Sequence, residues 1–146
     1  MSHTTKTTAG FRDEKVLRDA IKQLQKDGLK CSLKVGGVPR MFYEDQFRKH
    51  TKLEQADLVL HLEECKYDVA FVKDAKTGEF EVITDYWAGA VSKLLGAPGD
   101  KTGRSIGRLK QEYQVQALTA VARRKGQRVV RQKNDAGEVK LKIAVR

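Results

Sequence analysis

His61, Glu63 and Cys65 stand at i, i+2 and i+4, so along an extended strand they share one face and offer an imidazole, a carboxylate and a thiol to a metal ion. A structural metal site takes four ligands, and no second His/Cys pair in the sequence completes this one. A solvent-facing strand face explains the same residues. Gly96-Ala97-Pro98-Gly99-Asp100-Lys101-Thr102-Gly103 has the glycines and the Lys-Thr of a phosphate-binding loop. Asp100 stands where that loop needs glycine, and its carboxylate repels phosphate, so a plain turn is the reading. No Ser or Cys has a motif that brings a base and an orienting acid to it, and no cofactor fingerprint is present. These absences rank a binding module ahead of an enzyme, with no cofactor implied.

The cations carry the strongest chemistry. Residues 1–100 hold 16 Lys/Arg and 16 Asp/Glu, whereas residues 101–146 hold 13 Lys/Arg against Glu112, Asp135 and Glu138, so the whole formal charge of +10 lies in the last third. Arg104 and Arg108 fall at i, i+4 near the start of a predicted helix, with Arg123, Arg124 and Lys125 in its last turn and Arg128 just beyond. Val139, Leu141, Ile143 and Val145 alternate with Lys140, Lys142 and Arg146, so placing the apolar set in the core turns these cations together toward solvent. The register leaves Arg131 and Lys133 without an assignable face. Such clustering neutralises phosphates or an acidic protein face. Tyr113 is the only aromatic in this third, so the expected contact follows backbone charge with little base reading.

Asp85-Tyr86-Trp87 is a second candidate surface, because the only tryptophan lies beside an acidic group at a strand end, where an aromatic can anchor a partner. Core packing explains the same residues. Alternation sends Tyr86 and Trp87 to opposite faces, one inward and one exposed.

The elements that position these residues follow from periodicity. Residues 3–8 read as a strand, and Asp13 opens a helix whose Val16, Leu17, Ala20, Ile21 and Leu24 share a face until Gly28. A half-buried strand spans 29–35 and ends at Gly36-Gly37. Residues 38–55 show no clean period, although Met41, Phe42, Tyr43 and Phe47 suit a short helix or a lid. Strands follow at 58–63, 68–73 and 80–84, the last two forming a hairpin around Lys76-Thr77-Gly78. Ile106, Leu109, Tyr113, Ala117 and Val121 then stripe a helix that Gly126 ends, and a second hairpin turns at Asn134-Asp135-Ala136-Gly137. Each helix needs one sheet face, which predicts an α+β fold: an antiparallel-rich sheet of about six or seven strands with two helices packed on one face.

Length and composition set the frame. At 146 residues and 40% hydrophobic content, residues 1–146 are expected to form a single domain, with an irregular excursion at 36–56 and a basic helix-hairpin at 104–146. No apolar run reaches the length of a membrane span, and the opening residues lack a signal peptide's apolar core. Cys31 and Cys65 are far apart, which fits a reducing, cytoplasmic compartment.

Three stretches, residues 1–3 with the elements after them, 67–87 and 109–146, together resemble a family known from cyanobacteria, plastids and phages as hypothetical chloroplast reading frame thirty-five, a domain of unknown function. Ser2, His3, Asp68, Asp85, Trp87, Tyr113 and Gly126 carry the resemblance. The chain departs from it at Gln114-Val115-Gln116, where members tend to have an aromatic and histidine-bearing stretch, and it is more basic at its C-terminal end. Members are often encoded beside AAA-type ATPases, so the resemblance implies an adaptor or accessory subunit of such an ATPase or a larger assembly. The residues themselves point first to a non-enzymatic module whose basic surface contacts nucleic acid or an acidic protein.

Overall fold

Asp13 starts the first helix by accepting the N–H groups of Lys15 at 2.9 Å and Val16 at 3.2 Å, two of the donors a helix start leaves without partners. In the computed structural model, which describes residues 4–145, this helix is α1 (Glu14–Lys26), and it follows strand β1 (Thr4–Phe11). Gly28, at φ 105°, ends it in a left-handed turn, with Leu29 N–H donating to Leu24 O and Gly28 N–H to Gln25 O. The reversal feeds directly into β2 (Cys31–Val35). Ser2, His3 and Arg146 lie outside the described residues.

Strands β3 (Leu58–Leu62), β4 (Val69–Lys73) and β5 (Phe80–Asp85) form an antiparallel meander. β2 extends it beyond β3 and β1 beyond β5, giving a five-stranded sheet in the order β1-β5-β4-β3-β2. After a 3-10 turn at Trp87–Gly89 come α3 (Ala90–Leu95) and α4 (Gly107–Arg124), then a separate two-stranded ribbon of β6 (Arg128–Lys133) and β7 (Val139–Ala144). The class is α+β as predicted. The strands are divided, five and two, instead of forming one sheet.

Alternation along the central strands explains the layers. Leu58, Leu60, Leu62, Val69, Phe71, Phe80 and Val82 pack with Leu17, Ile21 and Leu24 of α1 and with Leu109 and Tyr113 of α4. Tyr113 also accepts the Arg12 and Asp13 N–H groups, tying α4 to the start of α1. Val59, Ala70 and Ile83 point the other way, beneath Phe47 and Ala56. Phe47 belongs to α2 (Gln46–Thr51), so the segment without a period is the cover of the second sheet face. The two long helices share one face, as expected, and the excursion closes the other.

Two sequence expectations are corrected here. Val121 does not continue the apolar stripe of α4: it is exposed and Ala122 is buried, because the helix's last turns reach the ribbon. The alternating residues of β7 do not enter the main core. Val139 and Leu141 are half-buried, whereas Ile143 and Val145 are exposed, because one helix cannot cover a full ribbon face.

Candidate functional site

Register places the C-terminal cations. Arg128 lies opposite Ala144, Val130 opposite Lys142 and Gln132 opposite Lys140, so Arg128, Lys140 and Lys142 share the outer ribbon face, and all three are exposed. On the inner face Arg131 meets Glu112 of α4 in a bidentate pair at 2.6 Å, which settles the face that the sequence leaves open. Gly126 at φ 72° ends α4 with the reversal that Gly28 gives α1 and brings Arg123, Arg124 and Lys125, all exposed, beside the start of β6.

Arg108 is placed differently. Its guanidinium is half-buried and donates to Leu94 O at 3.1 Å, linking α4 to the end of α3. Arg104 precedes α4, in the loop, so the i, i+4 pair with Arg108 does not form on a helix. In that loop Asp100 accepts from the hydroxyls of Ser92 and Thr102. These bonds hold its carboxyl below the usual range against the opposing effect of desolvation, and they make the glycine-rich segment a self-bonded turn.

Ion pairs neutralise some of the cations outside the C-terminal cluster. Lys6, Lys15, Arg18, Lys30, Arg40, Arg48 and Lys49 each lie within 4 Å of a carboxylate. Arg123, Arg124, Lys125, Arg128, Lys140 and Lys142 have no acidic partner among the described residues.

Asp85, Tyr86 and Trp87 separate at the end of β5. Asp85 is fully buried and accepts Phe42 N–H at 3.0 Å and Trp87 N–H at 2.9 Å, so it pins the excursion to the sheet. Tyr86 is buried, and desolvation pushes its phenol up to about 12. Trp87 is 38% exposed and meets Phe42 edge-on at 5.4 Å, and Phe42 in turn meets Tyr43 edge-on at 4.8 Å. Phe42 and Tyr43 complete the exposed aromatic cluster. Their only sequence trace is an aromatic pair in a segment without a period.

A third group is absent from the sequence candidates. β3 ends at Leu62 and Cys65 is buried in the core, so His61, Glu63 and Cys65 do not share a strand face. His61 instead lies 3.1 Å from Asp68 through Nδ1. Asp68 is buried and also accepts from Arg40 Nε, Nη2 and backbone N–H and from Leu62 N–H. Desolvation pushes its carboxyl up, but these bonds, led by the Arg40 side chain, hold it below the ordinary carboxylate value. Burial likewise pushes the Cys31 thiol up. Among the described residues no group of three His, Cys, Asp or Glu side chains could hold a metal ion.

The sign of the Asp68 effect gives a first prediction. A lowered folded pKa means stability that is fully present above the unfolded value of about 3.9 and is lost as pH falls through the folded value. Urea melts should show Asp68→Asn destabilised by about 2 kcal/mol near neutrality, with the gap to the parent closing below about pH 4. An unchanged gap there would dissociate this carboxylate from acid unfolding.

No family model matches the chain, and no curated protein or solved structure matches it either. Among the described residues no helix is long and apolar enough to cross a membrane.

Proposed function

We propose that the chain is a nucleic-acid-binding module that grips the phosphate backbone with the end of α4 and the outer face of the β6-β7 ribbon. The supporting observation is the clustering of six exposed cations without an acidic partner among the described residues, Arg123, Arg124, Lys125, Arg128, Lys140 and Lys142, at the end of α4 and on one ribbon face. A two-stranded ribbon is one of the two elements that the major groove of B-DNA admits. Lys140 and Lys142, two residues apart on one strand, are separated by about 6.8 Å, close to two base-pair rises. With no aromatic on the outer ribbon face, affinity comes from charge, and sequence preference is slight.

Fluorescence anisotropy of labelled duplex DNA and single-stranded RNA against salt tests this. Six phosphate contacts give a log-log slope of about −5 on duplex. No binding at low salt, or binding indifferent to salt, would sink the proposal.

The exposed cluster of Phe42, Tyr43 and Trp87 supports a second reading, an adaptor that docks an AAA-type ATPase or a larger assembly through aromatic anchors. A partner held this way co-purifies at high salt and is lost from Trp87→Ala. Recovery of the parent chain alone would remove this reading and leave the ribbon untouched.

A further inference from the structure

We infer that the cleft between β2, β3 and the excursion is a binding site for a phosphate-type oxyanion, either free or at the end of a larger molecule. The cleft encloses about 330 Å³ and is lined by Lys34, Gly36, Gly37, Val38, Arg40, Val59, His61 and Asp68. That volume is within the range of small-ligand pockets. Three donors from three segments line it. Cross-strand pairs Ser32 with His61 and Lys34 with Val59 put the Lys34 and His61 side chains on the same face of neighbouring strands. Arg40 reaches the same place from the excursion.

Each donor has capacity left over. Asp68, held ionised, accepts only, so the His61 nitrogen facing it is the protonated Nδ1. Nε2 then has no partner among the described residues. Arg40 commits Nε and Nη2 to Asp68, Leu62 O and Cys65 O, which locks the guanidinium in place and leaves Nη1 over. Lys34 has no acidic partner among the described residues. Asp68 is the only carboxylate in the lining and Arg40 balances it, so Lys34 leaves the cleft net positive. Gly36 and Gly37, at φ 73° and 95°, are held to conformations that L side chains rarely adopt, and Gln55 Oε1 accepts the Gly37 N–H at 3.3 Å.

With His61 neutral, the cleft favours phosphate monoesters and inorganic phosphate over internal diesters. A neutral His61 accepts a P–OH proton at Nε2, and an imidazolium donates to P–O⁻ there, while Lys34 and Arg40 supply charge-assisted bonds. An internal diester has no P–OH to give. None of the ribbon residues takes part.

Full-length protein titrated with inorganic phosphate at constant ionic strength, against chloride, tests the site by the ring resonances of His61, with exposed His50 as internal reference. Saturable movement of His61 alone is expected, weakened about tenfold in Lys34→Gln, whose side chain is exposed and makes no bond that the fold needs. A second arm compares 5′-phosphorylated with unphosphorylated oligonucleotide on a chain with Arg128, Lys140 and Lys142 changed to Gln. Movement only with the phosphorylated strand assigns a terminal phosphate, and movement with inorganic phosphate alone assigns a small phosphate compound. Stationary His61 signals in both arms, or equal movement of His50, overturn the inference. Neither result bears on the ribbon.

Discussion

Changing Arg128, Lys140 and Lys142 together to Gln lowers duplex DNA affinity by about a hundredfold and flattens the salt slope by about half, from roughly −5 to roughly −3. Each lost phosphate contact removes an equal share of the slope, and about 1 kcal/mol per cation gives the affinity loss. The three side chains are exposed on the outer ribbon face and make no ion pair among the described residues, so folding stability should stay within about 0.5 kcal/mol per site. The matching control changes Lys15, Arg48 and Lys49, whose charges face Asp19, Glu54 and Asp45. That variant loses the same formal charge and keeps nearly the parent's affinity. Anisotropy titrations of the two triple variants separate a localised surface from net charge, and equal losses in both would refute the ribbon's role.

Why that surface was legible, and other features were not, follows from how each is built. Helices and central strands obey local rules: Asp13 caps, Gly28 and Gly126 reverse the chain, and Leu58, Leu60 and Leu62 alternate into one core. The outward set Lys140 and Lys142 followed from the same period of two. What covers a strand face is not local. β7 has the pattern of a half-buried strand whether it joins a large sheet or lies over one helix, and only the partner decides that Ile143 and Val145 stay exposed. The excursion hid its role for the same reason, because Phe47 is core only where Val59, Ala70 and Ile83 come beneath it. The His61 cleft was furthest from view. Asp68 reaches His61 and Arg40 across 7 and 28 residues, separations that no spacing rule registers. Asp85 misled in the opposite sense, since its position beside Trp87 suggested a surface while two backbone N–H groups bury it.

The Arg131–Glu112 pair yields the largest expected stability effect, and its direction depends on which partner is removed. Glu112 has a side chain only 3% exposed, and Arg131, at 27%, binds both of its oxygens at 2.6 Å. Arg131→Met leaves that carboxylate buried with the Gln116 amide at 3.1 Å as its remaining side-chain donor, a loss of about 3 kcal/mol. Glu112→Gln leaves a guanidinium that is partly in solvent and has Asp27 3.8 Å away, so the loss is about 1 kcal/mol. The double variant Glu112→Leu with Arg131→Met removes the stranded charge and recovers most of the difference. Thermal or urea melts of the three chains test the order, and a double variant no more stable than Arg131→Met would show that the pair is not what binds the ribbon to α4. Function should follow stability here only in part. Besides this pair, Gln111 joins helix to hairpin by donating to Gly137 O and accepting Val139 N–H. With Arg131 gone, the outer cations keep their charge but lose their fixed position beside Arg123, Arg124 and Lys125. Duplex affinity then falls while the salt slope stays near the parent's, the reverse of the ratio expected when the cations themselves are removed.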